Sequence, residues 1–159
     1  MDFIWSPWRY DYLASGGKKP VSCVFCLSED QTHDADRLIV FRGTHNFIIL
    51  NLFPYTSGHV MVAPYEHLDT IASAKTEQLT EMMQLCQRMI KVLNKLYRPE
   101  GFNLGMNLGI AAGAGIREHF HLHVVPRWTG DANFMTIAGE TRVLPEELQT
   151  TYRRMKAEL

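Results

Sequence analysis

The chain has 159 residues, 46% of them hydrophobic, which fits one domain with a sizeable core over residues 1–159. Sixteen Lys and Arg against seventeen Asp and Glu give a formal net charge of −1. That excludes a broad basic surface for a nucleic-acid polymer, so any phosphate is to be held locally by a few placed groups. No apolar run approaches the roughly 20 residues of a membrane-spanning helix, and the opening MDFIWSPWRYDYL lacks a signal peptide's apolar middle. No membrane contact is expected, and the expected location is the cytoplasm.

In chain order, residues 1–20 read as an N-terminal arm, and SGGKKPVS as a loop leading into CVFC, Cys23 and Cys26. Three cysteines, an odd count, do not suggest a disulfide framework; the CVFC spacing points to metal or redox chemistry. RLIVFR, 37–42, reads as a strand, as do Phe47 to Leu52 and His59 to Pro64, the last two flanking the turn residues Pro54 to Gly58. From 79 to 97 the apolar residues recur at helical spacing. Thr76 is the expected N-cap, Pro99 and Gly101 the stop. Met82, Met83 and Met89 read as core filler and Cys86 as a buried structural thiol. FNLGMNLG, 102–109, alternates as a strand, with Asn103, Gly105, Asn107 and Gly109 on one face. AAGAG is a loop, FHLHVVPRW the last strand, closed by Pro126, and LPEELQTTYRRMKAEL an amphipathic helix. The fold class expected is α+β: an antiparallel sheet of about five strands with the long central helix and the C-terminal helix on one face.

His119, His121 and His123 stand at alternate positions of one strand pattern. Side chains two apart share a face about 6.6 Å apart. The three imidazoles therefore form a row, with Phe120, Leu122 and Val124 directed into the core. A solvated face would mix Lys, Glu, Thr and Ser instead. A metal site using all three is a competing reading, because imidazole is a common metal ligand. If the Asn103–Gly109 face lies beside the row, its glycines leave room for a ligand. The loop bearing Gly109, Gly113 and Gly115 offers backbone N–H groups for an anion. Imidazoles, amides and backbone N–H groups together suit a phosphate ester better than a bare metal.

HFHLHVV followed by Pro126-Arg127 resembles the His-φ-His-φ-His-φ-φ signature of the histidine triad (HIT) superfamily of nucleotide hydrolases and transferases. The likeness runs from WSPWRYDYL to PRWTGDANFM. Those two end segments are most similar to the bacterial branch that resembles diadenosine polyphosphate phosphorylases. The resemblance implies a HIT-like protomer that usually forms a homodimer and takes a nucleotide, with adenine the expected base, its α-phosphate at the histidine row. It implies His121 as nucleophile, forming a nucleotidyl–histidine intermediate. It also implies His123 as a phosphate contact that can protonate the leaving oxygen, and His59 as a further histidine beside the phosphates. Asn51 matches a ribose-binding position, although by itself it reads as a turn-entry residue. Asn107, Gly113 and Gly115 complete the expected nucleotide contacts.

In zinc-containing relatives a Cys-x-x-Cys pair joins a histidine after a strand and the first triad histidine. The resemblance thus implies structural Zn²⁺ on Cys23, Cys26, His67 and His119, a tetrahedral donor set. His33 and His45 are alternative ligands, read as surface or turn residues, and a redox pair or two free thiols remain alternatives. Hydrolase branches commonly carry glutamine four residues before the first triad histidine, where this chain has Gly115. That departure favours a phosphorylase-type nucleotidyltransferase over a hydrolase of dinucleoside polyphosphates or nucleoside phosphoramidates. Glu118 receives no role, and Arg127 either reaches phosphates or bonds to the sheet edge. Trp128 and GDANFM are candidates for contacting a dimer partner or the second nucleoside. A nucleotide-binding regulatory protein with little turnover, and a metalloenzyme using the whole row, are the readings of other classes.

Overall fold

The computed structural model describes residues 23–26, 31–132 and 146–159. The N-terminal arm, the SGGKKPVS loop, the end of GDANFM and the start of the C-terminal extension lie outside the described residues.

Five strands form one antiparallel sheet: β1 Ile39–Arg42, β2 Asn46–Leu50, β3 Val60–Pro64, β4 Gly101–Gly105 and β5 Leu122–Arg127. Their spatial order is β1-β2-β3-β5-β4, so β5 is inserted between β3 and β4. The long helix α1 spans Thr76–Tyr97 and the C-terminal helix α2 spans Leu148–Lys156. The period-two pattern sorts side chains cleanly between faces. Val60, Val62, Phe120, Leu122 and Val124 face the helices, packing on Met82, Cys86, Met89 and Leu93 of α1 and on Met155 of α2. On the other face Ile39, Phe47, Met61 and Ala63 cluster with Phe25. The expected α+β sheet with helices on one face is the fold observed.

Several boundaries differ from expectation, each for a local reason. The N-cap of α1 is Lys75, whose backbone N–H donates to Gln78 Oε1 at 2.8 Å; Thr76 is the first helical residue. Arg98, with φ 47°, ends the helix in the left-handed region. Met83 is 52% exposed, so only Met82 and Met89 of the three methionines fill the core. Cys86 is the expected buried thiol, and burial pushes it up to about 11.

The strand β4 stops at Gly105, the residue that pairs with His123. Asn103 and Gly105 lie on the histidine face, whereas Asn107 and Gly109 fall beyond the strand. Likewise β5 begins at Leu122, so of the triad only His123 is within the strand. Just upstream, Phe120 N–H donates to Leu68 O at 2.7 Å, which draws the chain towards the segment after β3. Pro126 does not close β5, which continues to Arg127. The pairing of β3 with β5 ends at Val124, so the N–H that proline lacks breaks no pair on that side.

Two contacts hold the ends of the sheet in place. Gly58 has φ +82°, and a Cβ there would lie 3.0 Å from Leu93 Cδ2 of α1. Only glycine allows the turn before His59 to approach the helix so closely. At the β1–β2 turn, Glu81 of α1 accepts the N–H groups of Thr44, His45 and Asn46 at 2.7–2.8 Å, and the Asn46 amide at 2.9 Å. Burial alone would raise the Glu81 carboxyl, but these four donors hold it below its ordinary value. Glu81→Ala leaves them without an acceptor and is expected to cost about 2 kcal/mol. The urea midpoint, compared at unchanged slope, measures the loss.

Candidate active site and metal centre

The triad is split between two environments. His119 is fully buried and its ring turns to the CVFC loop. Its Nε2–H donates to Pro64 O at 2.8 Å, leaving Nδ1 as the lone-pair nitrogen. That Nδ1 lies 3.4 Å from Cys23 Sγ and 3.7 Å from Cys26 Sγ, and His67 Nδ1 lies 3.1 Å from Cys26 Sγ. All four ligand atoms fall within 4.8 Å of one another. Bond lengths of 2.0–2.3 Å about a tetrahedral ion put donor atoms about 3.5 Å apart, so the spacing fits such an ion.

Among the described residues, His121 and His123 are not part of this cluster, nor are His33 and His45. A metal site using the whole row is therefore contradicted: His119 is turned away to the cysteines while the other two pack against each other. His33, at the end of the 3-10 helix Gln31–His33, and His45, in the β1–β2 turn, are both exposed.

His121 is 6% exposed, with its ring centroid 4.9 Å from Phe25 and 4.8 Å from His123. Its Nδ1 donates to the carbonyl of His119 at 3.0 Å. The proton is thereby fixed on Nδ1, and Nε2 keeps its lone pair. Burial lowers the His121 pKa, which keeps the ring neutral at pH 7.

Behind His123 stands His59, 1% exposed. Its Nδ1 accepts the Tyr55 N–H at 3.1 Å and lies 3.4 Å from Asn51 Nδ2. The His59 proton therefore belongs on Nε2, which donates to His123 Nδ1 at 2.9 Å. By the same logic His123 carries its own proton on Nε2. Burial, with His121 alongside, pushes His123 down to about 4. The Tyr55 ring stacks on His123, with centroids 5.9 Å apart, and lies 4.5 Å from His59.

A cavity of about 310 Å³ opens beside His123, lined also by Tyr55, Asn103, Gly105, Asn107 and Arg127. Gly113 and Gly115 lie outside that lining and on the surface. The Gly113 N–H, expected to be available to an anion, instead donates to Ile110 O at 2.9 Å, closing the turn Ile110–Ala112. Asn51 Oδ1 accepts the Phe53 N–H at 3.0 Å, the turn-entry bond. Arg127 is held at the sheet edge by Asn103 and Asp131.

Sequence reasoning assigns no individual role to Phe25, Tyr55 or Asp131. Phe25 sits between the two cysteines, fully buried against both His119 and His121. Its hydrophobicity inside a cysteine loop is the one hint it offers. Tyr55 reads as a turn residue, and Asp131 only as part of GDANFM, the candidate contact to a dimer partner or the second nucleoside, until the fold brings both to the row.

The HIT domain family model matches residues 32–130. A relative from Mycobacterium tuberculosis named AP-4-A phosphorylase is 40% identical over 161 residues, 98% of this chain and 83% of that protein. The crystal structure of a Zn-bound histidine triad family protein from Mycobacterium smegmatis is similar with a TM-score of 0.69 and 29% identity, covering 86% of this chain and 92% of that one. A hypothetical histidine triad nucleotide-binding protein from Sulfolobus tokodaii shares the fold, at TM-score 0.66 and 22% identity over 86% of this chain and 91% of its own.

The low pKa of His123 has a stability consequence. Between its ordinary 6.5 and about 4 the folded ring stays neutral while the unfolded chain takes up a proton. Its contribution to stability is therefore constant above pH 6.5 and declines as pH falls towards 4. Urea midpoints across pH 4–8 are expected to show this decline, and His123→Asn to make it shallower. Parallel curves for the two proteins would contradict the assignment.

Proposed function

Since the chain belongs to the HIT family and is an enzyme of its nucleotidyltransferase and hydrolase kind, we propose that it cleaves dinucleoside polyphosphates at the α-phosphate, passing a nucleotidyl group through His121 to inorganic phosphate. The observation that carries this reading is the His121 Nδ1–H bond to the His119 carbonyl, which leaves a neutral Nε2 as nucleophile. Identity of 40% with the phosphorylase supports the choice of acceptor, as does Gly115 in place of the hydrolases' glutamine.

In the first step His121 Nε2 attacks the α-phosphorus, a P–N bond forms, and the P–O bond to the bridging oxygen breaks. His123 Nε2–H faces the departing oxygen. A ring with so low a pKa is neutral at pH 7 and stabilises that oxygen by donating a hydrogen bond. A polyphosphate leaves as an anion without needing a full proton. His59 acts through His123, fixing which of its nitrogens carries the proton. In the second step an oxygen of inorganic phosphate attacks the same phosphorus and the P–N bond breaks. From diadenosine tetraphosphate the products are ADP and ATP. Asn51 and Asn107, with Gly115 of the following loop, are the proposed nucleotide contacts; Gly113 is not, because its N–H is used in the turn. A hydrolase, with water in the second step, is the other reading in the same class.

The donor set Cys23, Cys26, His67 and His119 fits Zn²⁺, and the zinc-bound relative supports that identity. Bound there, the ion supplies cross-linking and no chemistry at phosphorus. Leu104, Leu108 and Ile110, exposed beyond β5 on the outer strand and the loop after it, support the expected homodimer.

His121→Asn is expected to abolish turnover of diadenosine tetraphosphate while leaving nucleotide binding intact, and rapid acid-avoiding quench of the wild type to trap an adenylyl group on His121. A variant retaining a normal rate would remove the nucleophile. With phosphate present ADP and ATP are expected; AMP and ATP in its absence at the same rate would point to hydrolysis. Metal analysis is expected to find one zinc per chain, lost in Cys23→Ser and kept in His121→Asn. The reverse pattern would reject the assignment.

A further inference from the structure

The cavity does not end at His123. Its floor is the same face of β5 continued, from His123 through Val125 to Arg127, with Gly105 and Asn103 of β4 paired opposite His123 and Val125. A Cβ built on Gly105 meets nothing within 4 Å, so the floor is open there. The row that begins at the cysteine cluster thus passes the two free imidazoles and ends on a guanidinium. Four residues of strand place Arg127 about 13 Å beyond His123.

The guanidinium is held in a fixed orientation. Nε and Nη2 donate to the two carboxylate oxygens of Asp131, at 2.5 and 2.7 Å, and Nη1 donates to Asn103 Oδ1 at 2.7 Å. Asp131 also accepts the Trp128 N–H at 3.2 Å. Three of five guanidinium N–H groups are used in this way, and one on each terminal nitrogen remains. The Arg127 side chain is 45% exposed and that of Asp131 13%, so the cation is presented and the carboxylate is withdrawn.

We propose that this end of the cavity holds the departing part of the substrate, with Arg127 contacting the phosphates farthest from the attacked phosphorus. The proposal rests on the function proposed above. Guanidinium N–H groups match phosphate oxygens in geometry and charge. Asp131 and Asn103 are positioning residues for Arg127, and the nearby carboxylate limits how tightly the product is retained. A leaving group that spans the cavity gains this contact; a small one confined to His123 does not. Arg127 would then make the enzyme select long polyphosphates.

The test compares kcat/KM for diadenosine tetraphosphate with that for adenosine 5′-phosphorimidazolide, whose leaving imidazole ends at the P–N bond. In Arg127→Ala the tetraphosphate-to-imidazolide ratio is expected to fall about tenfold or more, mostly through KM, as for a lost charge-assisted hydrogen bond. Arg127→Lys keeps the charge and stem but not the fork, and its ratio is expected to fall less. Should Arg127→Ala fail to fold by circular dichroism, the lysine variant carries the test alone. An unchanged ratio, or equal losses on both substrates, would overturn the proposal while leaving the proposed function standing. A wild-type protein inactive on both substrates would overturn the two together.

Discussion

The site depends on what one residue does with three groups. His119 places its side-chain Nδ1 among two thiols and a second imidazole, its Nε2–H on the Pro64 carbonyl, and its own backbone carbonyl on His121 Nδ1. The first ties the CVFC loop to the sheet, and the second fixes which nitrogen faces the thiols. The third selects the tautomer of His121, the nucleophile proposed above. Displacing His119 would thus disturb the Cys/His cluster and the protonation of His121 together. Phe25 reinforces the coupling, because the loop that supplies both thiols also lays a ring against His119 and His121.

The second half of the site is arranged by the same kind of relay, run through the β2–β3 turn. Gly58 lets that turn sit against α1, and Thr56 Oγ1 donates to Pro126 O at 2.9 Å, fastening it to β5. The Tyr55 backbone N–H is then directed at His59, and His59 at His123. Each imidazole is oriented by a donor or acceptor that lies in the sheet or in a segment bonded to it. Low dielectric around these rings strengthens each bond, and burial keeps His123 uncharged at pH 7.

Much of this was legible in the sequence, because period-two alternation is a property of strands that few other structures share. The row itself, the apolar residues behind it and the shared face of Asn103 and Gly105 follow from that one rule, whereas the pairing that sets that face beside the row comes from the fold. Helix α1 was equally plain from its apolar spacing. Strand ends were not, since β4 stops at Gly105 for want of a partner although its residues keep alternating. Pro126 looked like a terminator because the sequence does not say which side of β5 is paired. The resemblance identified the four metal-ligand candidates, and geometry brought them together. The anion role given to Gly113 presupposed a free N–H, which the turn uses. Tyr55, Phe25 and Asp131 act through tertiary neighbours, and no local pattern marks a residue of that kind.

The stretch from Gly109 to Gly115 is a largely exposed connection beside the site. Side chains added at Gly109, Gly113 or Gly115 meet nothing within 4 Å, and the internal bonds of the turn run only among residues 109 to 114. By contrast, the turn at Gly58 is locked against helix and sheet. Lengthening or regrafting the 109–115 segment would therefore leave the imidazole scaffold untouched. Insertions and exchanges can accumulate there while the histidines keep a fixed geometry.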